Sequence, residues 1–249
     1  MKTFANKNPL NAPLDKEVIT RFIAGQHQLL QLLEQAGQVS LNKVKISGGG
    51  RCNVTHACFE PKELVKFYPR GEKQLLGPFN RFNPTNTLQW FADRGVKIKR
   101  EADGRMFPVT DNSQTIIDCF MAEVKRLGIQ IRYSTGVSNL VPDNNKWLVH
   151  TTGREVINAD VVVITAGSSH GVWDTLKQLG HTIVPPVPSL FTFNIKDERI
   201  KGLEGLSVPK AQVSVVNTKL QTTGPLLITH WGMSGPAILR LSAWGARSL

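Results

Sequence analysis

Three consecutive glycines, Gly48, Gly49 and Gly50, sit beside Arg51 in the stretch KVKISGGGRCNVTH, Lys43 to His56. Glycine takes positive φ and carries no Cβ, so such a run lets an anion or a planar ring lie directly on the main chain, and Arg51 adds charge at the same spot. The spacing is neither the Gly-Lys-Ser/Thr of a Walker A loop nor a G-x-G-x-x-G fingerprint. A flexible surface turn between two elements is the plain alternative. Cys52 lies inside the segment, where its thiol can face a redox ligand or pack as a small hydrophobe. His170, after Gly167-Ser168-Ser169, His230, before Trp231-Gly232, and Arg105 in DGRMFP are the catalytic candidates. Each has a structural alternative: a loop histidine bonded to backbone, or an arginine closing a hairpin by an ion pair. No Ser-His-Asp order and no metal-ligand spacing stands out among the six histidines and three cysteines, so neither triad chemistry nor a zinc site is expected.

The elements that must position these residues follow from periodicity. Val18, Ile19, Phe22, Ile23, Leu29, Leu30 and Leu33 have helical spacing, interrupted near Gly25 and ended by Gly37. PKELVKFYPRG and GEKQLLGPFNRF read as short helical pieces, and NPTNTLQWFADRG as a clearer helix that Gly95 stops. VKIKREADGRMFPVT offers strand, Asp103-Gly104 turn, strand. DNSQTIIDCFMAEVKRLG is a helix with an apolar stripe through Ile116, Ile117, Phe120 and Val124. Short strands at hairpin spacing come next, IQIRYSTGVSNLV, KWLVHTT and EVINA. DVVVITAGSS then has the β-branched profile of a parallel strand buried on both faces and opening into a tight loop, with a helix from about Val172 to Leu179.

Composition sets outer bounds. The 249 residues, 41% apolar and 20% charged, suit a globular protein with a substantial core. No run of 18 apolar residues and no apolar leader segment is present, so a cytoplasmic location and no membrane partner are expected. The net charge is +11; between Lys43 and Arg105 there are 13 Lys or Arg and 6 Asp or Glu, an excess of +7. That bias suits a polyanion, a phosphate-bearing cofactor or simply a lysine-rich surface.

KVKISGGGRCNVTH, DGRMFPVTDNSQTIIDC, VVVITAGSSHG, PPVPSLFTF and THWGMSGPAIL, in that order, resemble the bacterial flavoprotein family of aminoacetone-oxidase-like and bile-acid-reductase-like proteins, FAD/NAD(P)-dependent oxidoreductases. The resemblance runs from about Leu32 to the end of the chain. It implies an α/β fold: a doubly wound, Rossmann-like FAD-binding domain with a β-meander over residues 1–185, and part of a β-rich insert domain over 186–249. It also implies FAD as cofactor, with NAD(P)H as an electron donor the family allows. Ser47, Gly48, Gly49, Gly50, Arg51, Cys52, Asn53 and Thr55 would line its pyrophosphate and flavin side. Glu34 matches the acidic residue that ends the second strand and takes the ribose hydroxyls. Val137 would meet the adenine through its backbone, and Thr165, Ala166 and Gly167 would form a second FAD-contacting loop. Arg105 is a candidate to anchor an acidic substrate or the flavin's negative locus.

The family opens with a strand and G-x-G-x-x-G, which places the pyrophosphate over a helix N-terminus, and continues beyond the equivalent of Leu249. This sequence lacks the fingerprint before Glu34, so a member truncated at both ends is expected, with FAD binding weakened or completed by another chain. Two functional classes follow. One is an FAD-dependent oxidoreductase moving a hydride between flavin and a small-molecule organic substrate, impaired by the missing fingerprint. The other is a non-catalytic basic domain that binds nucleic acid or a partner chain. The absence of an RNP-like or zinc-finger pattern speaks against nucleic acid.

Overall fold

The computed structural model describes residues 31–33, 41–167 and 169–249. Glu34 and the apolar stretch that precedes residue 31 lie outside the described residues. The chain divides into two compact units, Met1–His181 and Thr182–Leu249.

Among the described residues the first unit contains three small sheets. β1 (Gln31–Leu33) pairs in parallel with β5 (Gln130–Arg132), in register Leu32 to Ile131. Gln31 to Leu33 is therefore strand where helical periodicity extended a helix to Leu33. A three-residue leucine-rich segment fits either period, and here the ladder to β5 decides.

The next segment is α1 (Asn42–Gly50), which leaves helical geometry at Ser47 (ψ 148°). β2 (Thr55–His56), β4 (Arg105–Pro108) and β3 (Ile98–Arg100) form an antiparallel sheet in the order β2-β4-β3. The Asp103-Gly104 turn closes its hairpin as the sequence anticipates: Gly104 has φ 86°, and Glu101 N–H donates to Arg105 O at 2.8 Å.

Between β2 and β3 run α2 (Pro61–Leu64), a 3₁₀ turn, α3 (Glu72–Arg81) and α4 (Pro84–Ala92). α4 starts with a reciprocal capping box between Asn83 and Asn86 and has Pro84 in its first turn. α5 (Gln114–Arg126) buries Ile116 and Ile117. Its Ile116 and Cys119, with Phe91, Val96 and Cys52, make the core of this unit, flanked by Trp90 and Phe120.

The meander appears as expected, β6 (Val137–Asp143), β7 (Lys146–Thr151) and β8 (Val156–Ala159) in sequential antiparallel order. Asn144 at φ 52° makes the two-residue β6–β7 turn. α6 (His170–Gln178) closes the unit.

One expectation fails. The run Val161–Gly167 is not a strand buried on both faces: it is irregular, with Val161 71% and Val163 54% exposed. Parallel strands exist through their neighbours' hydrogen bonds, and among the described residues no strand lies alongside this run.

In the second unit β9 (Phe193–Asn194), β10 (Ser207–Ser214), β11 (Gln221–Thr229) and β12 (Gly232–Ser234) make one antiparallel sheet, order β10-β11-β12-β9. α7 (Pro236–Gly245) lays the fully buried Ile238 against Leu226 and Ile228. Ser242, also fully buried, bonds at both ends: its hydroxyl donates to Leu239 O at 2.9 Å and accepts from Phe191 N–H at 3.0 Å.

Candidate functional site

The glycine segment is shaped from beneath. Gly48, Gly49 and Gly50 have φ of 57°, 69° and 85°, and Cys52 has φ 61°. Ser47 carbonyl accepts from Cys52 N–H at 2.9 Å, which closes the turn on itself. The start of α5 holds it in place. Ser113 N–H donates to Gly50 O and its hydroxyl to Lys45 O, both at 2.8 Å. Ser113 precedes α5, yet its side chain tethers the loop and leaves Asn112 Oδ1 to accept from Gln114 N–H. On the other side Asn53 Oδ1 accepts from Met106 N–H at 3.3 Å, and Thr55 pairs with Met106 across β2–β4.

The three glycines are not equivalent. A Cβ on Gly48 would stand 2.8 Å from Asn53 N and 2.9 Å from the Phe107 ring, so this glycine is required by packing as well as by φ. A Cβ on Gly49 or Gly50 would meet nothing within 4 Å. Their backbone is left-handed and faces open space, a surface on which a ligand can rest without a side chain between. That is the arrangement a pyrophosphate or an isoalloxazine edge needs, so these residues fit FAD.

Arg51 is placed otherwise than a phosphate clamp. Its guanidinium lies 3.9 Å over the Phe107 ring, 2.5 Å from Glu101 and 3.4 Å from Asp111. Asp111 is also paired with Lys99, whose hydrogen bond is the main cause of a carboxyl held below its ordinary range. The hydrogen bond that Arg51 donates to Glu101 in turn raises the Arg51 pKa. Arg51 thus closes the floor of the loop with its charge already matched. Cys52 turns its side chain into the core, 7% exposed beside Phe91 and Cys119, and can offer a cofactor main chain alone.

The second loop comes to the same place. A Cβ built on Gly167 (φ 62°) would lie 3.4 Å from the Lys43 ammonium, so the first turn of α1 reaches the exposed segment Thr165, Ala166 and Gly167. Val137 stands half-buried at the start of β6, paired with Thr151. β1 ends at Leu33, immediately before Glu34.

Each catalytic candidate has a local partner of its own. Arg105 closes its hairpin, with Nε 2.7 Å from Asp103 and a terminal nitrogen 3.3 Å from Glu101. His170 is exposed at the start of α6, edge-on to Trp173. His230 is exposed beside Trp231 in the second unit. Among the described residues no group of three His, Cys, Asp or Glu side chains is placed to hold a metal. Sequence reasoning missed Ser113, Phe107 and Asp111 as shapers of the loop. Their signal was present in the motif DGRMFPVTDNSQTIIDC, but only the fold brings that motif under residues 45–53.

The comparisons with known proteins decide the family. Residues 20–238 match the HI0933-like protein Rossmann domain. The chain belongs to the HI0933-like Rossmann family. Three curated relatives show similarity at family distance. A ribosomal RNA dihydrouridine synthase of Escherichia coli K12 is 27% identical over 232 residues, 89% of this chain and 56% of the relative. A protein of the same name from Haemophilus influenzae is 25% identical over 213 residues, 80% of this chain and 52% of the relative. The 3-dehydro-bile acid delta(4,6)-reductase of Clostridium scindens is 23% identical over 228 residues, 88% and 54%. The chain therefore spans about half the length of these relatives. The mixed α/β elements described above are those of a chain in this Rossmann family. No helix among the described residues is long and apolar enough to cross a membrane.

Proposed function

We propose that this HI0933-like chain binds FAD on the Gly48–Asn53 segment and serves hydride transfer to or from a small organic substrate. The observation that carries the reading is the pair of left-handed glycines, Gly49 and Gly50, held from below by Ser113 and open above. On this reading residues 1–185 are the incomplete FAD-binding domain and 186–249 part of a β-rich insert domain. Ser47, Asn53 and Thr55 line the same segment, Thr165 to Gly167 form the second wall, Val137 offers backbone to the adenine, and Glu34 takes the ribose hydroxyls. FAD, when bound, supplies the hydride chemistry; the protein orients and polarises. NAD(P)H is the proposed electron donor.

The relatives' names point to a substrate class. Uridine and a 3-dehydro-Δ4,6 steroid both carry a carbon–carbon double bond conjugated to a carbonyl, and each named reaction saturates such a bond. A carbonyl-conjugated alkene is therefore the proposed substrate, with the reduction adding one hydride and one proton. The alternative, a non-catalytic basic domain binding nucleic acid or a partner chain, is the weaker reading for nucleic acid because Arg51, Lys66, Arg94, Lys99 and Arg105 in the basic quarter are each paired with a carboxylate. The test is the visible spectrum of the purified chain after incubation with excess FAD and desalting. Retained flavin bands that disappear in Gly49→Asp support the reading. A colourless wild-type protein overturns it.

A further inference from the structure

We infer that Lys43, not Arg51, is the cation that meets the cofactor's diphosphate, an assignment that rests on the FAD reading above. A diphosphate brings two negative charges, and a site that excludes water around them must offset that charge. Arg51 is poorly placed to do so, because Glu101 and Asp111 already balance it and the Phe107 ring covers one face of its guanidinium. Bringing a phosphate to it would set two carboxylates against the incoming anion.

Lys43 differs on each count. It is exposed, and its ammonium has no carboxylate partner among the described residues. It belongs to the helix that runs into the glycines, and its ammonium lies 3.4 Å from where a Cβ on Gly167 of the second loop would stand. It is the point at which the two proposed walls of the cofactor site come within one side chain of each other. Gly167, at φ 62°, leaves the space beside the ammonium free of a side chain. A flexible four-carbon stem with three donors suits a phosphate oxygen set that no fixed fork has been built to match.

The experiment is a titration of flavin fluorescence with FAD and, separately, with riboflavin, which lacks both phosphates, on the wild type, Lys43→Met and Lys43→Arg. Because Lys43 is exposed, the urea midpoint of each variant should match the wild type, and it is measured alongside. Lys43→Met is expected to weaken FAD binding about 10- to 100-fold. Riboflavin binding should stay unchanged, and Lys43→Arg should recover most of the loss. Raising salt should weaken FAD binding more steeply in the wild type than in Lys43→Met. Equal FAD affinity in wild type and Lys43→Met overturns the assignment while leaving the FAD site standing. A parallel loss of FAD and riboflavin overturns it too, by showing that the lysine acts on the flavin ring or the fold. A wild-type chain that binds no FAD fails at the earlier reading and takes this one with it.

Discussion

The glycine loop and the run Val161–Gly167 are assigned to opposite walls of one cofactor site, yet the chain holds them in different ways. The first is tied from below by the Ser113 hydroxyl and N–H, by the bond Asn53 accepts from Met106 N–H on β4, and by Cys52 in the core. All these partners come from within about 70 residues of sequence, and each is local to one small sheet or one helix start. The second has a β-branched sequence suited to a sheet centre, but Val161 and Val163 face solvent and Val162 is only half-buried. A loop can be shaped by a few hydrogen bonds and one buried side chain. A parallel strand needs a neighbour on each side before its propensity counts.

The largest expected effect breaks the tighter wall. Gly48→Ala introduces a Cβ at φ 57° that collides with Asn53 N and the fully buried Phe107. Backbone strain and overpacking together should cost about 3 kcal/mol, read as a fall in the urea midpoint. Gly49→Ala, with the same sign of φ but open space, should cost only about 1 kcal/mol. Equal losses in the two variants would mean that the packing difference drawn between the two glycines is not present in solution.

Ser113→Ala probes the tether. Ser113 is 3% exposed, and its removal leaves Lys45 O without its donor, a loss of about 2 kcal/mol with a looser glycine loop. Ser113→Thr retains a hydroxyl and should fall between the two. An unchanged midpoint in Ser113→Ala would leave the support of the loop to the Ser113 N–H, which the variant keeps, and to β4.

The scaffold under this wall has its own pH signature. Glu123 on α5 accepts from Arg126 and from Arg94, both at 2.8 Å, and these bonds, Arg126 first, hold its carboxyl down to about 2 from an ordinary value of 4.5. A depressed carboxylate contributes its full stability above pH 4.5 and loses it as the pH falls toward about 2. With the solvent-exposed Arg126 screened, that contribution is roughly 1–2 kcal/mol. Glu123→Gln should lower stability at pH 7 by this amount and flatten the acid limb between pH 4.5 and 2. An acid limb unchanged by the substitution would assign the loss to other carboxylates.

How far the sequence carried this picture depends on how local each feature is. The helices from Pro84 and Gln114 and the Asp103-Gly104 hairpin were legible because caps, apolar stripes and turn residues act within a few positions. The glycines announced a special backbone, and their left-handed φ values agree. What the sequence could not give was partnership across distance. Arg51 looked like a ligand cation until Glu101 and Asp111, 50 and 60 residues on, were found beside it. Leu33 matched a helical period, and Val163 matched a buried strand, because both readings presume neighbours that only the tertiary structure supplies or withholds.

The smallest expected effect tests that last point. Val163 is 54% exposed in an irregular segment, so Val163→Ser removes little buried area and should change the urea midpoint by less than about 0.5 kcal/mol. A strand buried on both faces would respond differently, since a buried valine contributes about 1.5–3 kcal/mol and the serine hydroxyl would add a desolvation penalty. The two outcomes are several-fold apart and do not depend on any cofactor. A neutral substitution fits a wall of the site that the described residues leave uncovered. A loss above about 1.5 kcal/mol would mean that the run is covered in solution, and the difference between the two walls would then lie in what covers them rather than in whether they are held.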